Sequence, residues 1–264
     1  MEFKFISNFI DAARWLDQEH QNQANFKNFS NKFGLLTHED AYEVQDALEK
    51  LWLWKGKLAG YKLALTSKPI QALFGVDTPM RGNIFSKTVL YGNQKISITD
   101  YVHLGVEFEL AVEIGEDFGA NCKEMNVSDC MSKVAAVYPA FELIDDRNAD
   151  YTTVDLISAT ADNSWNGNNI LGNRQPNFKH LDFDNNLVTK SVNEKKEKSV
   201  TGAALENPFN SVLWIANSIS KFGKELRKGQ IIMTGSTFAT YFPNKGDKIL
   251  YEVEGIGKIS IEIE

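Results

Sequence analysis

Glu107, Glu109 and Glu113 alternate through GVEFELAVEI at 105–114, separated by Phe108, Leu110, Ala111 and Val112. Successive side chains of a strand point to opposite faces. An extended reading therefore puts the acids and Ala111 on one face, and Phe108, Leu110, Val112 and Ile114 on the other. Taken alone, the segment reads first as an ordinary amphipathic strand with its acids in water. PAFELIDDR at 139–147 adds a carboxylate less suited to water, because Glu142 shares a strand face with Ala140 and Ile144. A buried, unpaired carboxylate is costly and tends to take up a proton. A divalent cation is one way to keep it ionised; an ion pair of Arg147 with Glu142 or Asp145 is the plainer alternative. Acids from two strands make an all-oxygen site, which suits magnesium or manganese better than zinc. No HExxH and no cysteine cluster competes.

Lys62 lies in GYKLALTS, a strand-like run. A lysine there is by default a solvated tip. Near a divalent cation it would instead serve an anionic substrate or move a proton, its pKa lowered by like-charge repulsion. Two polar stretches add candidates: Asp162 and Asn163 in ADNSWNG (161–167), and Thr234 and Gly235 in MTGST (233–237). Each reads first as a turn, yet each sits where a helix or strand ends and can offer backbone amides to a carboxylate. His20, His38, His103 and His180 are scattered and read as surface or packing residues.

These residues need elements to hold them. Phe5, Ile6, Phe9, Ile10, Ala13 and Leu16 recur at helical spacing, predicting an amphipathic helix over 5–17. A polar, asparagine-rich connection follows. Thr37 and Asp40 have capping-box spacing before a second helix with Ala41, Val44, Ala47, Leu48 and Leu51 on its apolar face, ended by Gly56. From Gly60, YKLALT reads as a strand, SKPIQALF as a short helix and GVDTPMRGN as a loop. Strands are predicted at 95–99, 105–114, 140–145, 230–234, 248–254 and 258–263, and helices near 126–137, 153–159 and 208–222. Residues 179–200 read as an exposed hairpin or flap. There is no GxGxxG fingerprint and no regular β-α alternation, which excludes a doubly wound fold. The pattern predicts an α+β protein: a helical N-terminal region over 1–59 and a mixed β domain over 60–264.

With 43% apolar and 11% aromatic residues among 264, the chain can bury a substantial core. A net charge of -7 disfavours broad nucleic-acid binding. Cys122 and Cys130 are too few to staple the chain and form no CxxC pair, which points to a reducing compartment. The start is not a secretory signal, and no run approaches the roughly 18 apolar residues of a membrane span. A soluble, cytoplasmic protein is expected.

In combination, the segments GYKLALTSKPIQALFGVDTP (60–79), VEFELAVEI (106–114), PAFELIDDRNADY (139–151), ADNSWNGNNILG (161–172), NPFNSVLWIAN (207–217), IIMTGS (231–236) and VEGIGKI (253–259) resemble the 2-keto-4-pentenoate hydratase / 4-oxalocrotonate decarboxylase family of the fumarylacetoacetate hydrolase-like superfamily. The resemblance implies a mixed β-roll behind helices and a homo-oligomer acting in catabolism of aromatic compounds. It implies a magnesium or manganese site of Glu107, Glu109 and Glu142, with Glu113 outside it. Lys62 is then the active-site lysine, joined by Asp77 as a catalytic candidate. Ser67, Arg81, Asp162, Thr234 and Gly235 become candidates for binding the substrate, a small 2-oxo or 2-hydroxydienoic acid. Two outcomes share that chemistry: hydration of a dienoate such as 2-hydroxypenta-2,4-dienoate, and decarboxylation of a 4-oxalocrotonate-like diacid. A C–C hydrolase and a noncatalytic metal-binding or assembly protein are further alternatives. Three positions depart from the family pattern. Met80 stands in GVDTPMRG where hydratases usually carry an acid, Arg81 beside it is unusual, and Glu206 in LENP replaces an expected glycine.

Overall fold

The structure is a computed structural model that describes residues 2–119 and 124–264. Cys122 lies outside the described residues, as do the side chains of Phe5 and Ile6.

Helices α1 (Glu2–Gln21), α2 (Ser30–Phe33) and α3 (His38–Leu51) form the N-terminal layer. Thr37 caps α3 as its spacing predicts: its hydroxyl accepts from the Asp40 amide while Asp40 accepts from the Thr37 amide. The helix stops at Trp52, before Gly56, which instead ends the single 3-10 turn that follows. Ala13, Leu16, Ala41, Val44, Leu48 and Trp52 bury one shared core, which also takes in Phe85 and Ala161 from later in the chain.

The strands are β1 (Leu58–Ala64), β2 (Met80–Phe85), β3 (Val89–Tyr91), β4 (Gln94–Ile96), β5 (Leu104–Ile114), β6 (Val134–Asp145), β7 (Asn166–Leu171), β8 (Leu187–Val192), β9 (Lys195–Val200), β10 (Ile231–Ser236), β11 (Lys248–Val253) and β12 (Gly257–Ile263). Between them lie α4 (Lys68–Leu73), α5 (Val127–Ser132), α6 (Leu156–Ala161) and α7 (Pro208–Ser220). The expected mixed β architecture is built as two open sheets, ordered β2-β1-β10-β5-β6-β7-β3 and β4-β12-β11-β8-β9. Phe108 and Phe141 of the larger sheet pack on Tyr251 of the smaller, with ring centroids 5.8 and 6.3 Å away. The apolar face of β5 thus lies between the sheets, and its acid face turns the other way.

Three differences from the sequence reading matter. GVDTPMRGN does not stay a loop: from Met80 it is strand β2, buried throughout. The helix predicted at 126–137 ends at Ser132, and β6 begins at Val134. The last two residues of ADNSWNG, read as part of a turn, open strand β7, NGNNIL. The hairpin predicted within 179–200 is present as β8 and β9. No helix among the described residues is long and apolar enough to cross a membrane.

Candidate active site

The β5–β6 register places Glu107 directly opposite Glu142, and Glu109 opposite Ala140. Glu107, Glu109 and Glu142 each offer an oxygen within 4.8 Å of the others. Glu109 and Glu142 are fully buried, and Glu107 is half-buried. Glu113, on the same face, takes no part. At the far end of the strand it accepts from Tyr138 and from Arg174.

Each acid is held by one of its oxygens. Thr240 donates to Glu107 Oε1 at 2.6 Å, and the Gly235 amide donates to Glu109 Oε2 at 2.8 Å. Asn166 donates to Glu142 Oε1 at 2.8 Å, and Lys62 Nζ lies 3.0 Å from that same oxygen. Glu109 Oε1 and Glu142 Oε2 are buried and have no hydrogen-bond partner among the described residues. Buried carboxylate oxygens without a hydrogen-bond donor are costly, and these are the atoms a cation would take. The donor set is all oxygen, so a hard divalent ion such as magnesium or manganese fits it.

The electrostatics agree. Burial raises the Glu109 carboxyl well above the usual range, and neighbouring Glu142 and Glu107 raise it further. Burial and Glu142 likewise raise Glu107, against the pull of Lys62. One ammonium does not balance three close carboxylates; a divalent cation would supply the rest. Burial alone would lower Lys62, but Glu142, Glu107 and Glu109 outweigh it and the net direction is up. The lowering expected beside a cation is therefore not produced by the protein's own groups.

Lys62 sits on β1 opposite Gly82 of β2. A Cβ at Gly82 would lie 2.4 Å from the Asn163 carbonyl oxygen and 3.3 Å from Lys62 Cγ, so only glycine leaves this room. Gly235 lies within the register break between Met233 and Ser236 in β10. Its φ is 102°, and a Cβ there would meet Thr66 at 2.4 Å. Glycine is thus required twice where the backbone approaches the acids.

A cavity of ≈ 740 Å³ is lined by Lys62 and Glu107, together with Ser67, Met80, Ser164, Trp165 and others. Part of its wall is strained: Leu65, Ser164 and Trp165 have φ of 58°, 49° and 60°, the left-handed region that side chains disfavour. Neighbouring Asn163 anchors this segment, clasping Asn83 through its backbone amide at 2.6 Å and carbonyl at 2.9 Å.

The other candidates scatter. Thr234 is buried and donates to the Leu110 carbonyl, which ties β10 to β5. Asp162 does not line the cavity; it pairs with Arg147 at 2.5 Å and His20 at 2.6 Å. Arg147 is therefore spent on Asp162, not on Glu142 or Asp145. Asp77 is exposed and also lies outside the cavity wall. Arg81 alternates with Met80 on β2 and so turns away. Its guanidinium lies 4.0 Å from the Tyr42 ring centroid, near Phe222. Thr240 and Asn166 escaped the sequence reading: a neutral hydroxyl and an amide carry no spacing signal of their own.

Residues 64–264 match the family profile described as fumarylacetoacetate (FAA) hydrolase C-terminal. The chain is 30% identical to 2-oxo-hept-4-ene-1,7-dioate hydratase of Escherichia coli over 257 residues, covering 94% of this chain and 95% of the relative. It is 28% identical to 2-keto-4-pentenoate hydratase of Paraburkholderia xenovorans (strain LB400), covering 96% and 94%. Among solved structures, 4-oxalocrotonate decarboxylase from Pseudomonas putida G7, complexed with magnesium and adipate, superposes with a TM-score of 0.89. Its identity is 26%, over 98% of both chains.

Proposed function

The chain belongs to the fumarylacetoacetate hydrolase family, and on that premise we propose that it is a metal-dependent lyase adding water to a short 2-hydroxydienoate such as 2-hydroxypenta-2,4-dienoate. The observation that carries this reading is the contact of Lys62 with Glu142 at 3.0 Å, inside an acid cluster that opens to a cavity. Glu107, Glu109 and Glu142 would hold magnesium or manganese, and the ion would polarise the acid's carboxylate and 2-oxo oxygens and stabilise enolate charge. Lys62, charged and pinned by Glu142, is placed to give a proton to the dienol carbon skeleton and take one back from the oxygen. Ser67, at the start of α4, makes no capping bond and lines the cavity, so its hydroxyl is free to hold the substrate carboxylate. Gly235 and Thr234 act on the acids and the strand rather than on the substrate. On the same reading the protein is a cytoplasmic homo-oligomer in aromatic-compound catabolism.

One observation favours decarboxylation as a second reading. Met80 lines the cavity where the hydratase pattern would carry an acid, and methionine cannot activate water. A product assay separates the two. With magnesium, water gain on 2-hydroxypenta-2,4-dienoate identifies the hydratase, and carbon dioxide release from the 4-oxalocrotonate-type diacid identifies the decarboxylase. Chelator should abolish either. Bound magnesium with neither product would refute both and leave a noncatalytic metal-binding role.

A further inference from the structure

The acid cluster accounts for one end of a bound acid. The remaining cavity wall describes the other. Among the described residues, Lys62 is the one lysine or arginine in that wall, and Glu142 already holds it. Three wall hydroxyls are also engaged: Ser164 donates to the Arg81 carbonyl, Thr237 to the Phe108 carbonyl and Thr240 to Glu107. Leu73, Phe74, Tyr151, Leu156, Trp165 and Phe242 supply a broad apolar surface.

That surface is fixed in place. The Tyr151 hydroxyl donates to Asp146 Oδ2 at 2.9 Å, and the Tyr151 ring packs 5.7 Å from Trp165 and 6.4 Å from Phe74. Phe242 stacks on His103 at 4.5 Å, and His103 Nδ1 meets Asp146 Oδ1 at 2.7 Å. Asp146 is fully buried. It thus braces both aromatic groups from behind.

We infer that the site selects a monoacid whose far end is uncharged and apolar, an alkyl or aryl group, over a dicarboxylate. This rests on the oxo-acid reading of the metal end. A second carboxylate would give up water against this wall without gaining a cation. An apolar tail gains from the same surface, by about fourfold in affinity per buried methylene.

Calorimetry on the magnesium-loaded full chain tests this with unreactive probes: pyruvate, 2-oxobutanoate, 2-oxohexanoate, 2-oxooctanoate and 2-oxoadipate. Affinity should climb with monoacid length, and 2-oxoadipate should bind at least about tenfold more weakly than 2-oxohexanoate. Leu73 is exposed at the wall, so Leu73→Arg should fold and should narrow that gap severalfold. A diacid binding as tightly as 2-oxohexanoate, a flat length series, or a gap unmoved by Leu73→Arg would overturn the inference. Pyruvate binding that depends on magnesium, with a flat length series, would overturn it while leaving the oxo-acid site standing. If no probe binds in a magnesium-dependent way, the oxo-acid reading falls and takes the inference with it.

Discussion

Lys62 and Arg81 are buried cations on paired neighbouring strands, 2% and 0% exposed, yet their surroundings are opposites. Lys62 faces three carboxylates, more negative charge than it can neutralise. Among the described residues no carboxylate forms an ion pair with Arg81, although Asp46 and Glu49 act on it electrostatically. It lies among Tyr42, Tyr61 and Phe222, with long contacts to Ser218 at 3.4 Å and Gln45 at 3.5 Å, and its Nη2 has no hydrogen-bond partner. Arg147 is intermediate, its charge matched by Asp162. Burial of a charge therefore does not mark a site. A local excess of one sign, opening to a cavity, does.

The comparison breaks most visibly at the acids. Glu109→Ala removes one proposed ligand without touching the cavity wall. Magnesium affinity, read by calorimetry, should fall by at least about 100-fold, with turnover lost while the circular dichroism spectrum is kept. Lys62→Met should cut turnover by roughly 100- to 10,000-fold and leave magnesium binding measurable. Retained turnover would remove Lys62 from the chemistry. Arg81→Met should behave in the opposite sense: turnover within a few-fold of the parent, and stability changed by less than about 2 kcal/mol in denaturant melts, because an apolar replacement also removes the cost of burying a charge that no carboxylate pairs with among the described residues. A folded Arg81→Met protein without activity would make the two cations alike after all.

Arg147 sharpens the middle case through pH. Burial alone would raise the Asp162 carboxyl, but Arg147 and His20 outweigh it and hold it below the usual aspartate range. A depressed folded pKa contributes stability above the unfolded value, about 3.8 to 3.9, and loses it as pH falls further. Acid titration of stability should therefore be less steep below about pH 4 in Asp162→Asn than in the parent. The smallest effect is expected where no buried charge is involved. Glu206 is exposed and held at φ 66°. Glu206→Gly should raise stability by about 1 kcal/mol in the same melts.

The cluster was legible because its signals are local. Alternation put Glu107 and Glu109 on one face, and the apolar flanks of Glu142 marked it as an unusual acid. What separates Glu113 from them is Arg174, which only the fold brings near. Arg81 falls outside the cavity wall for a different reason. MRGN has the composition of a turn, and in a loop the arginine could reach a pocket. As strand β2, it has a period of two that sends Met80 inward and Arg81 away. NGNNIL concealed a strand in the same way. Its asparagines are disfavoured in strands, but here their side chains have partners: Asn166 on Glu142 and Asn168 on the Tyr101 hydroxyl.

Both sheets are open, so each ends in strands with unpaired backbone groups. One of the two outermost strands of the smaller sheet, β9, reads KKEKSV, and Lys195, Lys196, Glu197 and Lys198 are all exposed. A second copy adding its own β9 here would bring lysines alongside lysines, and like charges across a strand pair are unfavourable. The charge that made this segment look like a mere solvated flap thus acts as a guard against runaway edge-to-edge growth, and it directs any self-association to other faces of the molecule.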